Sequence, residues 1–211
     1  MQIPILYEDA EFLVIEKPAG LAVHPGPKTP RSLDDHLDEL RLGYHRRPQP
    51  AHRLDRDTSG ALLLARNPRA LKQVQRLFEE GAIEKTYVAL LGGVVEGEGV
   101  IDTPLAKVSS REKGWRMVAD PGGKPALTRW KAVEQLGNCT LVEFRPATGR
   151  THQLRIHAAH ALVPILGDPV YGQGGTAMRL HAMRLAFGWK QDRRISAEAP
   201  LPTGFLPESL P

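Results

Sequence analysis

One cysteine, Cys139, stands in a chain of 211 residues, which excludes an intramolecular disulfide framework and any multi-cysteine zinc or iron–sulfur site. Ordinary packing is the role expected of it, and a reducing compartment suits such a chain. The amino terminus, Met1-Gln2-Ile3-Pro4-Ile5-Leu6-Tyr7-Glu8-Asp9, lacks the basic stretch and following apolar stretch of a secretion signal. No uninterrupted apolar run approaches bilayer length. A soluble, cytoplasmic protein without a membrane partner is therefore expected. Fixed-period repeats, low-complexity linkers, a P-loop and a G-x-G-x-x-G between strand and helix are also missing. A single domain over residues 1–211 is the simpler reading, and no nucleotide or redox cofactor is expected.

A hydrophobic fraction of 41% can support a buried core. Lys and Arg number 28 against 24 Asp and Glu, giving a formal charge of +4 and a pI near 9.3, a tilt toward a polyanionic partner. Short apolar runs at Ile3–Leu6 and Phe12–Ile15 read as strands, and residues 21–30, rich in Pro and Gly, as a loop. Ser32 and Asp35 form a capping pattern ahead of Leu33, His36, Leu37 and Leu40, predicting a helix that ends near Gly43. Ala61–Ala65 reads as a strand buried on both faces. Asn67 and Pro68 open a helix with Leu71, Val74, Leu77 and Phe78 on one face, stopped at Gly81.

Lys85–Leu91 is the next predicted strand. Between Gly92 and Lys124 strands are expected without definable ends, and Ser109–Trp115 reads as an exposed, mobile basic loop. Leu127–Leu136 and Thr140–Arg145 read as a hairpin about Gly137-Asn138. Thr151 is placed to cap a helix carrying Leu154, Ala158, Ala161 and Leu162, and the proline-rich tail after Ser196 is expected on the surface. Hairpins mixed with strand–helix steps give an α+β class, with an extended, mostly antiparallel mixed sheet flanked by helices.

Chemistry concentrates in His52-Arg53-Leu54-Asp55-Arg56-Asp57-Thr58-Ser59-Gly60, where a carboxylate is flanked by guanidinium groups. A carboxyl group with an ordinary pKa near ~3.9 is already ionised at neutral pH, so it needs positioning rather than a general base to act as a nucleophile. Guanidinium partners keep it charged and fix its direction. Asp55 and Asp57 both fit that description, and residue pattern alone does not separate them. A second charged segment, Thr148-Gly149-Arg150-Thr151-His152-Gln153-Leu154-Arg155-Ile156-His157, supplies further cations.

Together the two segments resemble the RluA family of RNA pseudouridine synthases, and Lys17-Pro18-Ala19-Gly20, Lys85-Thr86-Tyr87 and Gly167-Asp168-Pro169-Val170-Tyr171-Gly172 resemble the family's KPxG, K-x-Y and GD-x-x-YG segments. The resemblance implies the pseudouridine synthase fold with a central RNA-binding cleft, and, in departure from larger members of the family, no S4-like domain is expected. It implies Asp55 as nucleophile, Arg53 as the residue that takes the place of a flipped nucleotide, Tyr87 as the platform for the uracil and Arg155 as partner of the catalytic aspartate. His52, Arg150 and Lys85 are the accompanying RNA or substrate contacts.

The implied reaction converts uridine in structured RNA, a tRNA or rRNA stem-loop, to pseudouridine, with no cofactor and no metal, in a monomer that needs no protein partner. Two rivals are a non-catalytic RNA-binding module using His45-Arg46-Arg47, Arg111, Lys113 and Arg116, and a metal hydrolase built on His152, His157 and His160. The latter lacks an HExxH arrangement, and helical spacing sets His152 about 140° from His157.

Overall fold

The computed structural model describes residues 2–26, 29–110, 114–190 and 192–207. Its strands are β1 Ile5–Glu8, β2 Phe12–Lys17, β3 Gln49–Pro50, β4 Ser59–Ala65, β5 Glu84–Leu91, β6 Glu98–Asp102, β7 Leu105–Ser110, β8 Gly114–Ala119, β9 Leu127–Leu136, β10 Cys139–Pro146, β11 Leu180–Trp189 and β12 Arg193–Glu198. Two α-helices, α1 Pro68–Glu79 and α2 Gln153–Ala161, accompany them. None of the described helices is long and apolar enough to cross a membrane. The chain divides into two compact units, one of residues 1–85 and 181–200, the other of residues 86–180 and 201–211.

In the first unit β4 is the central strand, buried along its whole length as its apolar run predicts. It pairs antiparallel with β2, from Phe12 opposite Ala65 to Lys17 opposite Gly60, and antiparallel with the short β3. Its amino-terminal end pairs parallel with β11, Ser59 opposite His181 and Gly60 opposite Ala182. β1 and β12 extend the array antiparallel, on β2 and β11 respectively. Helix α1 starts as expected, with Asn67 Oδ1 accepting from the Ala70 N–H and Pro68 in its first turn. Its Ala70 and Val74 pack with Phe12, Leu63, Leu185, Phe187, Trp189 and Ile195, each large side chain stabilising the fold by about 1.5–3 kcal/mol through burial. Phe12 meets Phe187 and Trp189 edge-on at 5.5 and 4.7 Å, a favoured aromatic geometry.

The second unit is a sheet in the order β5-β10-β9-β6, antiparallel throughout. β9 and β10 join across Gly137-Asn138 as the turn signal requires, with Gly137 at φ 60°. Helix α2 contributes Leu154 and Ala158 to a core with Ala89, Leu91, Val142, Phe144 and Ile165. β7 and β8 form a separate antiparallel pair. The α+β class and the mostly antiparallel sheet are thus as expected.

Several local expectations are corrected. Residues 32–43 form two short 3₁₀ turns, Leu33–His36 and Glu39–Arg41, rather than one α-helix, although the Ser32–Asp35 capping box is present. Leu42 and Gly43 both take positive φ there, which ends any helical run. The segment expected as a loop from Ser109 to Trp115 belongs largely to the β7–β8 hairpin, with residues 111–113 outside the described range. Thr151 does not cap α2; His152 holds that position in a left-handed conformation, φ 55°. The tail is not simply superficial: β12 runs to Glu198, and Ala199 and Phe205 are buried. β11 was not anticipated at all.

Candidate active site

The HRLDRDTSG loop in the first unit is fixed from both ends. Gly60, with φ 111°, is the second residue of β4 and passes so close to β11 that an added Cβ would lie 2.2 Å from the Ala182 carbonyl oxygen. Only glycine fits both the conformation and the space. Beside it the buried Ser59 Oγ pairs with His181 Nδ1 at 2.9 Å. Upstream, the Thr58 N–H donates to the Asp55 carbonyl at 3.2 Å, turning the chain immediately after Asp55.

Lys17, from the KPAG turn at the end of β2, holds the middle of the loop. Its fully buried ammonium donates to the carbonyls of Pro18 and Leu21 at 2.8 Å and of Arg56 at 3.0 Å. The Gly20 N–H donates to the same Arg56 oxygen at 2.9 Å. Burial pushes the Lys17 pKa down to about 8, against the pull of the Asp57 and Asp55 carboxylates. A buried ammonium with three carbonyl acceptors fixes the residue lying between the two candidate nucleophiles.

Both Asp57 oxygens accept from Arg56, from Nε at 2.9 Å and from Nη2 at 3.2 Å, so Asp57 is occupied in a bidentate pair with its neighbour. Asp55 is half-buried and Arg53 exposed. His52 occupies a framework position: its Nε2 accepts the Leu63 N–H at 3.1 Å and its ring lies 4.7 Å from that of Phe78. Burial, with the Lys85 charge adding to it, drives the His52 pKa down to about 3, leaving a neutral acceptor at physiological pH. Lys85 itself is largely enclosed, and burial lowers its pKa.

In the second unit the TGRTHQLRIH segment is pinned to β9 by Gln153. Its Oε1 accepts from Thr148 Oγ1 at 2.7 Å and from the Arg150 N–H at 3.0 Å, while Nε2 donates to Leu127 O and Thr128 Oγ1 at 3.0 Å each. This amide ties the loop before α2 to β9, while the amino terminus of α2 itself carries no side-chain cap. Arg150 is exposed and donates from Nε to the Pro125 carbonyl at 2.9 Å. Tyr87 sits on β5 opposite Phe144, half-buried against the core.

Arg155, in the first turn of α2, is buried. Its Nε and Nη2 donate to the two oxygens of the fully buried Asp168 at 2.7 and 2.8 Å. Burial alone would raise the Asp168 pKa, but the Arg155 bonds and the N–H groups of Tyr171 and Val170 outweigh it and hold the carboxyl below its ordinary value. Asp168, Gln153 and the Lys17 clamp were not assigned roles from sequence. For Gln153 the signal was a polar side chain among apolar helix positions. For Lys17 and Asp168 it was membership of a recognisable short motif.

The histidines divide. His157 Nδ1 pairs with Thr128 Oγ1 at 2.9 Å and its Nε2 with the Thr103 carbonyl at 3.0 Å, while His152 Nδ1 meets the Tyr171 hydroxyl at 2.9 Å. His160 is exposed. Among the described residues no three His, Cys, Asp or Glu side chains are grouped as for a metal ion.

Comparison with known proteins fits this chemistry. A family model described as RNA pseudouridylate synthase matches residues 11–160. An uncharacterized RNA pseudouridine synthase of Zymomonas mobilis is 48% identical over 207 residues, covering 95% of this chain and 94% of that protein. Ribosomal large subunit pseudouridine synthase C of Vibrio cholerae is 36% identical over 93% of this chain, which spans only 65% of that relative. The solved structure of human RNA Pseudouridylate Synthase Domain Containing 4 superposes with a TM-score of 0.80 at 26% identity, covering 96% of this chain and 90% of the human one. On these matches, which run through both charged segments and across nearly the whole length of a close-sized relative, the chain belongs to the RNA pseudouridylate synthase family, a family of isomerases.

Proposed function

We propose that this protein isomerises specific uridines in structured RNA, a tRNA or rRNA stem-loop, to pseudouridine, with Asp55 as the nucleophile. The observation that supports Asp55 within the HRLDRDTSG loop is the Lys17 clamp on the Arg56 carbonyl, which fixes the backbone next to Asp55, and the choice over Asp57 follows the HRLD resemblance. The reaction breaks the N1–C1′ bond, turns the uracil while it remains held and joins C5 to C1′, the C5 proton being lost and N1 gaining one. It consumes no co-reactant.

Because the reacting atoms are shielded in a stacked helix, the nucleotide must flip out, at a cost of a few kcal/mol. Stacking on Tyr87 offsets part of that cost, and Arg53, exposed on the loop, takes the vacated position. Arg155, its guanidinium held by Asp168, is assigned by the family resemblance as the catalytic arginine of this reaction. Lys85 and Arg150 contribute to holding the RNA.

Replacement of Asp55 by Asn removes the ionised oxygen while preserving shape. Pseudouridine formation, read by chemical labelling of an in vitro transcript, is expected to fall below detection with RNA binding retained. Turnover surviving in Asp55→Asn but lost in Asp57→Asn would transfer the role to Asp57. Turnover is expected to survive in Asp57→Asn, since its carboxylate serves Arg56.

A further inference from the structure

The Gly167–Gly172 motif has a recognisable pattern but no role in the reaction described so far. Its geometry is specific. Gly167, with φ 76°, passes the Ala177 carbonyl so closely that an added Cβ would sit 2.3 Å from its oxygen. Asp168 follows, and its Oδ1 accepts the N–H groups of Val170 and Tyr171 at 2.8 and 3.0 Å. Its main-chain carbonyl accepts those of Gly172 and Gly174 at 3.2 and 3.0 Å. The carboxylate is thereby locked by its own turn before it meets Arg155 on both oxygens. Tyr171 closes the arrangement: its ring lies 5.1 Å from the Arg155 guanidinium carbon, and its hydroxyl meets His152 Nδ1 at 2.9 Å.

Stability does not explain this expenditure of buried charge. A buried ion pair contributes little net stabilisation, and replacing both members by apolar groups of similar volume is often neutral or favourable by about 1–4 kcal/mol. Arg155 is also badly placed for the helix, since a cation in the first turn opposes the α2 dipole and that turn contains no acidic residue. What a bidentate carboxylate provides is direction: it fixes the guanidinium plane and selects the edge, Nε and Nη2, that the framework uses.

We propose that Asp168 is the positioning residue through which Arg155 acts in turnover, with Tyr171 stacked on the guanidinium as the second wall of the same holder. The inference rests on the role assigned to Arg155 under the proposed function. The GD-x-x-Y order is then explained residue by residue: glycine for close passage, aspartate for the fork, and tyrosine three residues on for the ring face.

The test is a cycle of Asp168→Asn, Arg155→Ala and the double variant, with Asp168→Glu alongside, all assayed by labelling of pseudouridine in transcripts and by RNA binding, with thermal melts to establish the folded fraction. Misplacing the guanidinium by an ångström is expected to cost about 10²-fold in kcat in both Asp168 variants, with RNA affinity unchanged within about twofold. Asp168→Glu retains the charge and keeps the test decisive if the asparagine variant is poorly folded. In the Arg155→Ala background, Asp168→Asn is expected to add no further loss. Wild-type kcat per folded molecule in either Asp168 variant, or a full additional loss on top of Arg155→Ala, overturns the inference while leaving Arg155 in place. Wild-type turnover in Arg155→Ala overturns instead the reading of Arg155 on which it stands.

Discussion

His52 shows how a residue beside the proposed nucleophile can serve the fold. With its Nε2 accepting a main-chain N–H and its ring under Phe78, protonation would cost both the hydrogen bond and the desolvation of a cation. Its pKa consequently falls from 6.5 to about 3. In the unfolded chain His52 takes up a proton below its ordinary pKa, whereas the native residue does not. The stabilisation is therefore complete above pH 6.5 and is lost as the pH falls toward 3. His157 and His181, also depressed by burial, act in the same direction. Urea unfolding at about pH 7 and about pH 5 is expected to show a drop in midpoint that is smaller in His52→Gln than in the parent. An equal drop in both would mean that His52 is not the neutral acceptor described.

At the scale of elements, the pairing of β4 with β11 fixes the loop that carries Asp55, and Gly60 is its tightest point. An alanine there must move its Cβ away from a main-chain oxygen 2.2 Å distant while holding φ 111°, and neither the carbonyl nor the conformation yields cheaply. Gly60→Ala is expected to destabilise the protein by at least about 3 kcal/mol and to lower turnover of the folded fraction. Denaturation with a loss under about 1 kcal/mol would show that the strands separate there without penalty. That contact was invisible in the sequence, because β11 itself was missed: Leu180–Trp189 is buried apart from the half-buried Met183 and Arg184 and the exposed Gly188, so no alternation marks it. α1 was legible because its signals, Asn67 and Pro68, are local. The start of α2 was not, since its pinning depends on Gln153 reaching Leu127 and Thr128 more than twenty residues earlier. Likewise the two aspartates of the HRLD run are equivalent as a pattern, and the bidentate Arg56–Asp57 pair depends on side-chain directions that no pattern carries.

At the scale of the whole molecule, a charge of +4 acts on encounter with RNA rather than on bond making. Each phosphate neutralised releases counterions, so affinity falls steeply with salt, with a slope of about −0.9 per contact on duplex regions. The proposed step at Asp55 has different demands: its carboxylate sits half-buried on a loop held by a buried lysine, where charges are screened less than fully exposed ones. The two effects separate in steady-state kinetics. If RNA is held by on the order of four phosphate contacts, raising salt from about 50 to about 200 mM is expected to raise KM about 10²-fold while kcat at saturating RNA stays within about twofold. A kcat that falls in parallel with affinity would place a salt-sensitive ion pair in the rate-limiting step itself. In that case Arg155→Lys, which retains the charge but loses the fork, should inherit the same salt dependence on a lower baseline, and its absence would trace the sensitivity to the RNA-binding cations instead.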